Sequence, residues 1–187
     1  MENGCVIWIT GISSAGKSTI AGEVEDRLRA QGVPVENLDA DEVRANLSPN
    51  LGFSEEAIDE NTKRLAWMAK MLSKHGVTVL VAAVSPRRHH RDRAREWCQN
   101  FVEVQLLCPL EICRERDPKG LYARADRGEV SDIAGLHRPY EEAENAEVTL
   151  RTHELTPEEA AQAVIDKAMG LGFLPTPPQN TIAPSST

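Results

Sequence analysis

The chain has 187 residues, and its 29 acidic side chains outnumber its 21 lysines and arginines, which gives a formal net charge of -8. About 100–200 residues is typical of a single domain, and a chain of this size folds without disulfides or metals to hold it together. The acidic balance argues against a nucleic-acid polymer or an anionic membrane as a partner, because both bind basic surfaces. We find no signal peptide and no apolar run near the roughly 20 residues of a membrane span, so we expect a cytoplasmic protein.

Short apolar runs alternate with longer amphipathic ones, which is typical of a parallel sheet covered by helices. We predict strands at 5–9, 33–38, 77–84 and 101–108, with a weaker one at 146–150. The strand at 77–84 is the most apolar, so we predict it to be a central strand rather than an edge strand. The spacing of apolar residues predicts helices at 17–30 and from Ser54 to Gly76. A third helix is predicted from Thr156, where a capping box and a proline mark its start.

The composition changes after residue 174, where prolines at 175, 177, 178 and 184 lie among Ser, Thr, Gln and Asn. A segment of this kind has too little apolar surface to fold by itself. We therefore predict one domain at 1–174, followed by a disordered tail at 175–187.

Residues 11–18, Gly-Ile-Ser-Ser-Ala-Gly-Lys-Ser, match the phosphate-loop pattern G-x-x-x-x-G-K-[ST] in full. A loop of this spacing curls its backbone N–H groups around a phosphate, and here it joins a predicted strand to a predicted helix, as that mechanism requires. We expect Lys17 to reach the β- and γ-phosphates of ATP and the Ser18 hydroxyl to bind Mg²⁺. The predicted fold is thus α/β, a P-loop NTPase-type three-layer α/β/α arrangement with a mostly parallel central sheet. The predicted ATP-binding residues of the loop are Gly11, Ser13, Ser14, Ala15, Gly16, Lys17, Ser18 and Thr19.

Two carboxylates, Asp39 and Asp41, follow the second predicted strand, with Arg44 one helical turn later. A carboxylate there can accept the proton of a substrate hydroxyl, and an arginine can bind phosphate or sulfate oxygens. The alternative is that the acids only cap the helix that begins near Glu42. Beside a phosphate loop we favour catalysis. The strand at 77–84 ends without the metal-supporting Asp that GTPases and motor ATPases show, so we favour a kinase.

Residues 38–44, Leu-Asp-Ala-Asp-Glu-Val-Arg, resemble the L-D-G-D-x-[VI]-R segment of adenylyl-sulfate kinases. Further stretches follow in that family's order: LGFS at 51–54, EN at 60–61, SP at 85–86, RDPKGLY at 116–122 and PYE at 139–141. The resemblance covers roughly residues 4 to 170. It implies phosphorylation of the ribose 3′-hydroxyl of adenylyl sulfate in sulfate assimilation, with ATP and Mg²⁺ as cofactors, and a homodimer.

The resemblance also implies roles for individual residues. Asp39 matches the base-like residue with Asp41 beside it, and Lys17 and Ser85 complete the implied catalytic set. Some family members carry a phosphorylatable serine at the position of Ser85. Arg116 and Asp117 match a mobile segment that closes near the ATP. The implied substrate-binding residues are Asp41, Arg44, Phe53, Ile58, Asn61, Val84, Ser85, Lys119 and Ile133.

Two departures from the family's pattern lie on the substrate side. Ile58 stands where the family's D-R-x-E-N segment has an arginine, and Ile133 stands where the family has a phenylalanine that stacks on the substrate adenine. Stacking of this kind contributes about 1–3 kcal/mol per base. A kinase for a different nucleotide or nucleotide-linked small molecule therefore remains an alternative. A non-catalytic nucleotide-binding domain that kept the loop is a second one.

Residues 85–95 contain five arginines and one acid in an otherwise acidic chain. One interpretation is an electropositive mouth, including Arg87 and Arg88, that attracts an anionic acceptor. For Arg91, Arg93 and Arg95 we favour a solvated helix face.

Overall fold

The computed structural model describes residues 3–175 and contains a five-stranded sheet. The strands are β1 Cys5–Thr10, β2 Val35–Asp39, β3 Thr78–Ala82, β4 Asn100–Leu107 and β5 Val148–Arg151. They lie in the order β2-β3-β1-β4-β5, and every neighbouring pair is parallel. All five predicted strands are therefore present. The prediction of a central strand at 77–84 is confirmed, because β3 lies between β2 and β1, and β1 occupies the middle of the sheet.

Seven helices accompany the sheet in the described part of the chain. They are α1 Lys17–Ala30, α2 Ala40–Leu47, α3 Glu55–Ser73, α4 Arg88–Trp97, α5 Leu110–Arg116, α6 Leu121–Asp126 and α7 Pro157–Gly170. The three predicted helices appear as α1, α3 and α7, with Ser54 and Thr156 as side-chain caps of the last two. The sequence did not reveal α5 and α6, since seven and six residues are too few to show a helical period.

Side chains of the sheet alternate between two helical layers, which is the expected consequence of strand geometry. Cys5, Ile7 and Ile9 of β1 join a core cluster with α1 and α7, whereas Val6 and Trp8 join a second cluster with α3 and α4. All six residues of β1 are buried, as a strand covered on both faces must be. The predicted three-layer α/β/α fold is confirmed.

The predicted tail at 175–187 lies, apart from residue 175, outside the described residues, and the predicted domain limits of 1–174 stay a prediction. Within residues 3–175, no helix combines the length and apolar character needed to span a membrane.

Candidate active site

The phosphate loop leaves the central strand β1 and turns directly into α1. Its backbone enters the left-handed region twice, at Ser14 with φ 62° and at Gly16 with φ 101°. Glycine adopts this region without strain, but a serine does so only where its surroundings hold it there. At the start of the loop, a Cβ on Gly11 would lie only 3.0 Å from the Leu106 Cβ, so the loop also lies close against β4.

Two hydroxyl groups hold the loop from behind. The Tyr122 hydroxyl donates to the Ser13 carbonyl at 2.9 Å, and the Thr152 hydroxyl donates to the Ala15 carbonyl at 2.8 Å. Both supporting side chains are buried. Sequence reasoning missed both roles, although Tyr122 ends the RDPKGLY stretch that carried the family resemblance.

Lys17 is bound to carbonyl groups of its own loop. Its Nζ donates to the Gly11 oxygen at 2.9 Å and to the Ile12 oxygen at 2.8 Å. Burial lowers the pKa of Lys17 to about 8, although Asp41 and Asp39 nearby act in the opposite direction. Phosphate oxygens offer this ammonium group stronger, charged acceptors than the two carbonyls.

Asp39 uses its two carboxylate oxygens for different tasks. Oδ1 accepts from the Asp41 backbone N–H at 2.9 Å and so caps α2, and Oδ2 accepts from the Ser18 hydroxyl at 2.6 Å. Asp39 therefore does cap a helix, as the alternative interpretation held, but it also faces the phosphate loop. A hydroxyl and a carboxylate are hard oxygen donors, and at this separation they fit Mg²⁺.

Asp41 and Lys119 form an ion pair across the mouth of the site. Lys119 Nζ lies 2.5 Å from Asp41 Oδ2, and this bond raises the pKa of Lys119. Both side chains are exposed, so water screens the pair and its contribution to stability is small. The pair links α2 to the segment that contains the RDPKGLY stretch.

Arg44 is held by the loop that follows α2. Its Nη1 donates to the Gly52 carbonyl at 2.7 Å, and its guanidinium lies 4.8 Å from the centre of the Phe53 ring. Burial lowers the pKa of Arg44, against the effect of Asp41. The Phe53 ring is 61% exposed and lies at the opening of the site.

Asn61 carries an unpaired amide oxygen inside the site. The residue is only 2% exposed, and its Oδ1 has no hydrogen-bond partner among residues 3–175. An unpaired buried amide costs roughly 1–3 kcal/mol, so a polar ligand that reached it would gain from doing so. Ile58 lies one turn earlier on α3, and Ile133 is buried on the facing loop.

Ser85 follows β3 in an unusual backbone conformation, with φ 43°. It is 2% exposed, and its Oγ accepts a hydrogen bond from the Trp8 indole N–H at 2.9 Å. The carbonyl of the preceding Val84 accepts from the Thr10 hydroxyl at 2.6 Å. The backbone of this turn is therefore held by the central strand.

A cavity of about 1280 Å³ joins these groups into one site. Gly11 and Ala15 do not line it, since both lie buried behind the loop surface. Asp117 does not line it either, because its Oδ2 accepts from the Ala123 N–H at 2.9 Å and holds the start of α6. The other predicted site residues all line the cavity: Ser13, Ser14, Gly16, Lys17, Ser18, Thr19, Asp39, Asp41, Arg44, Phe53, Ile58, Asn61, Val84, Ser85, Arg116, Lys119 and Ile133.

The cavity is also lined by residues that the sequence did not reveal. Leu155, from the connection between β5 and α7, and Pro157, the first residue of α7, line it near the predicted Arg116. Arg116 also donates to the Thr152 carbonyl at 3.0 Å. Only the helix start at Thr156 gave a signal in this connection, and that signal concerns capping rather than binding.

The expected electropositive mouth is wrong for Arg87 and Arg88, because acidic side chains neutralise both. Arg87 bonds to Glu55 and Glu141, and Arg88 lies 2.7 Å from Glu144. The expected solvated face is wrong for Arg91, which is 1% exposed.

The parallel sheet, the phosphate loop and the acid pair opposite it define a P-loop kinase. The family profile described as adenylylsulphate kinase matches residues 3–151. The probable adenylyl-sulfate kinase of Pyrococcus abyssi is 46% identical over 172 residues, which are 92% of this chain and 99% of that protein. The chain therefore belongs to the adenylylsulphate kinase family and is a phosphotransferase with an alcohol group as acceptor.

Solved structures agree with this assignment. The structure of the Mycobacterium tuberculosis APS kinase in complex with AMPPNP and APS superposes with a TM-score of 0.87 at 38% identity, covering 90% of this chain and 99% of that one. A hexameric APS kinase from Thiobacillus denitrificans gives a TM-score of 0.71 at 29% identity, covering 93% of this chain and 30% of that one.

The lowered pKa of Lys17 predicts a pH-dependent affinity for ATP. An amine with a pKa of about 8 is about nine-tenths charged at pH 7 and about one-tenth charged at pH 9, so affinity should fall about tenfold over that interval. Titration calorimetry with ATP across this range measures the change. Lys17→Met, which has no charge to lose, should bind weakly with a flat profile. If the ATP affinity of Lys17→Met fell with pH as steeply as that of the wild type, the titrating group would be a residue other than Lys17.

Proposed function

We propose that the chain transfers the γ-phosphoryl group of ATP to the ribose 3′-hydroxyl of adenylyl sulfate. One observation carries the proposal: a carboxylate, Asp39, is bonded to the phosphate-loop residue Ser18 and also opens onto the cavity beyond it. The donor phosphate and the acceptor hydroxyl can therefore meet at one carboxylate.

The donor end of the site is proposed to lie along the phosphate loop. Backbone N–H groups of residues 13–19 and the Lys17 ammonium hold the phosphates, at the positive end of α1. The base of ATP then reaches the cavity end between the Arg116 guanidinium and the apolar Leu155 and Pro157. An arginine face and an apolar surface are both suited to contact with an aromatic base.

Ser18 and Asp39 are the residues that would hold Mg²⁺. A metal ion held there would supply positive charge to offset the charge of the transferring phosphoryl group. The hydroxyl of Ser18 is exposed and its bond to Asp39 is local, so the pair needs no large rearrangement to bind the metal.

The acceptor end is proposed to lie between α2, α3 and the turn at Ser85. Arg44 and Lys119 supply positive charge for the phosphosulfate group, and the unpaired Asn61 oxygen can accept a hydrogen bond from the acceptor. Asp41 can contact the acceptor once Lys119 has left Asp41 and bound the phosphosulfate group.

Transfer then makes one bond and breaks one. The 3′-oxygen attacks the γ-phosphorus while the bond from phosphorus to the β-bridging oxygen breaks, so ADP leaves. The proton of the 3′-hydroxyl goes to Asp39, whose oxygens can each accept a further hydrogen bond while Oδ1 caps α2. Lys17 stays with the phosphates as charge develops on them.

A different nucleotide acceptor is the second candidate, and the lining at Ile58 and Ile133 favours it. Both positions present aliphatic side chains to the acceptor end, so neither of these two residues supplies a cation or an aromatic ring. An acceptor with less negative charge would lose less binding free energy from the absence of a cation at these positions.

The experiment that tests the proposal is an ADP-release assay with adenylyl sulfate beside a panel of other nucleotide acceptors. We expect turnover on adenylyl sulfate well above that on the others, with 3′-phosphoadenylyl sulfate as the product by mass spectrometry. Turnover on a different acceptor and none on adenylyl sulfate would support the second candidate. ATP binding without transfer to any acceptor would indicate a non-catalytic nucleotide-binding domain.

Asp39→Asn should reduce turnover about 10²–10⁴-fold, because a carboxamide cannot take the acceptor proton. ATP affinity measured without Mg²⁺ should be unchanged, since the carboxamide oxygen can still cap α2. Asp166→Asn on α7 is the matched control, because within residues 3–175 the side-chain partner of its carboxylate is Gln162 alone. Normal turnover in Asp39→Asn would remove this residue from the mechanism.

We further propose that the protein is a homodimer. Leu47, Trp67 and Met71 form an exposed apolar face, at 53%, 53% and 45% exposure, with the Trp97 ring edge-on to Trp67 at 6.0 Å. Exposed apolar groups of this size mark association surfaces. A related APS kinase is hexameric, which supports a second copy as the occupant.

Trp67→Lys should therefore convert a particle of twice 20.6 kDa into one of 20.6 kDa in light scattering after gel filtration. Leu171→Lys is the control, because Leu171 is 40% exposed beside α7 in the opposite layer. A monomeric wild type, or a dimer that survives Trp67→Lys, would contradict this assignment.

A further inference from the structure

The turn at Ser85 needs support from the surrounding structure. A non-glycine residue with φ 43° lies in a backbone region that costs free energy and persists only where neighbouring contacts hold it. The turn follows β3 and places Val84 and Ser85 at the acceptor end of the cavity. A small change in its backbone would move both residues.

Arg91 holds this turn from inside the protein. From α4, its Nη1 donates to the Ser85 carbonyl at 2.6 Å, and its Nη2 donates to the Glu141 carbonyl at 2.7 Å. Its Nε donates to the Glu103 carboxylate at 2.7 Å. The planar guanidinium thus fixes three groups from three parts of the chain in one arrangement.

Stability alone does not account for the buried ion pair of Arg91 and Glu103. Arg91 is 1% exposed and Glu103 is 6% exposed, so both charges have lost most of their water. The attraction between two buried charges often fails to exceed that cost, and apolar residues of similar volume are frequently as stable. What apolar residues cannot do is bond to two backbone carbonyls and so fix their positions.

A second set of contacts leads to the same turn. The Thr10 hydroxyl donates to the Val84 carbonyl at 2.6 Å and lies 2.9 Å from the Tyr140 hydroxyl. The Arg91 guanidinium lies 5.8 Å from the centre of the Tyr140 ring. Arg91 therefore supports both the turn and the segment around Tyr140 that covers it.

We propose that Arg91, oriented by Glu103, is a positioning residue for the acceptor. It does not line the cavity itself. It acts through the Ser85 carbonyl, which sets where Val84 and Ser85 meet the acceptor. Its own hydrogen bonds go to Ser85, Glu103 and Glu141 and to no residue of the phosphate loop. This inference rests on the proposed kinase function.

Arg91→Lys tests the inference, because an ammonium on a flexible stem keeps the charge but cannot bond to all three groups in one plane. We expect KM for adenylyl sulfate to rise about tenfold or more and kcat to fall, with KM for ATP within about twofold of the wild type. Arg93→Lys is the matched control on the same helix. Arg93 donates to Asp59 at 2.6 Å, neither residue lines the cavity, and its kinetics should match the wild type.

If Arg91→Lys raised KM equally for ATP and for adenylyl sulfate and also lowered Tm, Arg91 would be merely structural and the inference would be overturned. Wild-type kinetics in this variant would overturn it as well. If Arg91→Lys does not fold, Glu103→Gln is judged by the same criterion, since it keeps the size of the partner and removes its charge. The comparison uses whichever acceptor the wild type phosphorylates. A wild type without transfer to any acceptor would overturn the proposed function and this inference together, whereas an active wild type with an unaffected Arg91→Lys would overturn the inference alone.

Discussion

All five strands run in the same direction, and this constraint determines where the site can lie. The carboxyl ends of parallel strands meet at one edge of the sheet, and ligands of open α/β folds bind outside that edge. β1 continues there into the phosphate loop, β2 ends at Asp39, β3 continues into Ser85, and β5 continues into Thr152. Groups more than 100 residues apart in the chain therefore lie around one cavity. β1 and β3 are buried along their whole length, so the phosphate loop and the turn at Ser85 extend from well-packed strands.

Local features of this arrangement could be predicted from the sequence, because their geometry depends on neighbouring residues. The loop at 11–18 and the caps at Ser54 and Thr156 are hydrogen-bond patterns that span only a few residues, and all appear as expected. Asp39 shows where this approach reaches its limit. The sequence left open whether it caps a helix or faces a substrate. The positions of Ser18 and the Asp41 N–H show that one oxygen caps α2 while the other bonds to the phosphate loop.

Features that depend on distant partners could not be predicted in this way. The arginines of α4 look like a charged surface when counted along the chain, yet Arg91 is buried because Glu103, on a strand, supplies its counter-charge. Asp117 lies in a stretch that resembles an ATP-closing segment, but its side chain holds the start of α6. Leu155 and Pro157 line the cavity with no motif of their own. In each case the role of the residue depends on a contact between distant segments, and the spacing of residues along the chain does not reveal such contacts.

The acceptor end combines apolar surface with cations that are already engaged. Arg44 is bonded to the Gly52 carbonyl and lies over Phe53, and Lys119 is paired with Asp41. An anion that binds here therefore meets a different cost at each of the two cations. An exposed ion pair such as that of Lys119 contributes about 0–1 kcal/mol, so an oxyanion can take this ammonium readily and free Asp41 in the same step. The half-buried Arg44 keeps its carbonyl partner and still has free N–H groups for the same anion. Under the proposed function, binding of a charged acceptor would therefore be coupled to the release of Asp41, and a neutral acceptor would leave Asp41 paired with Lys119.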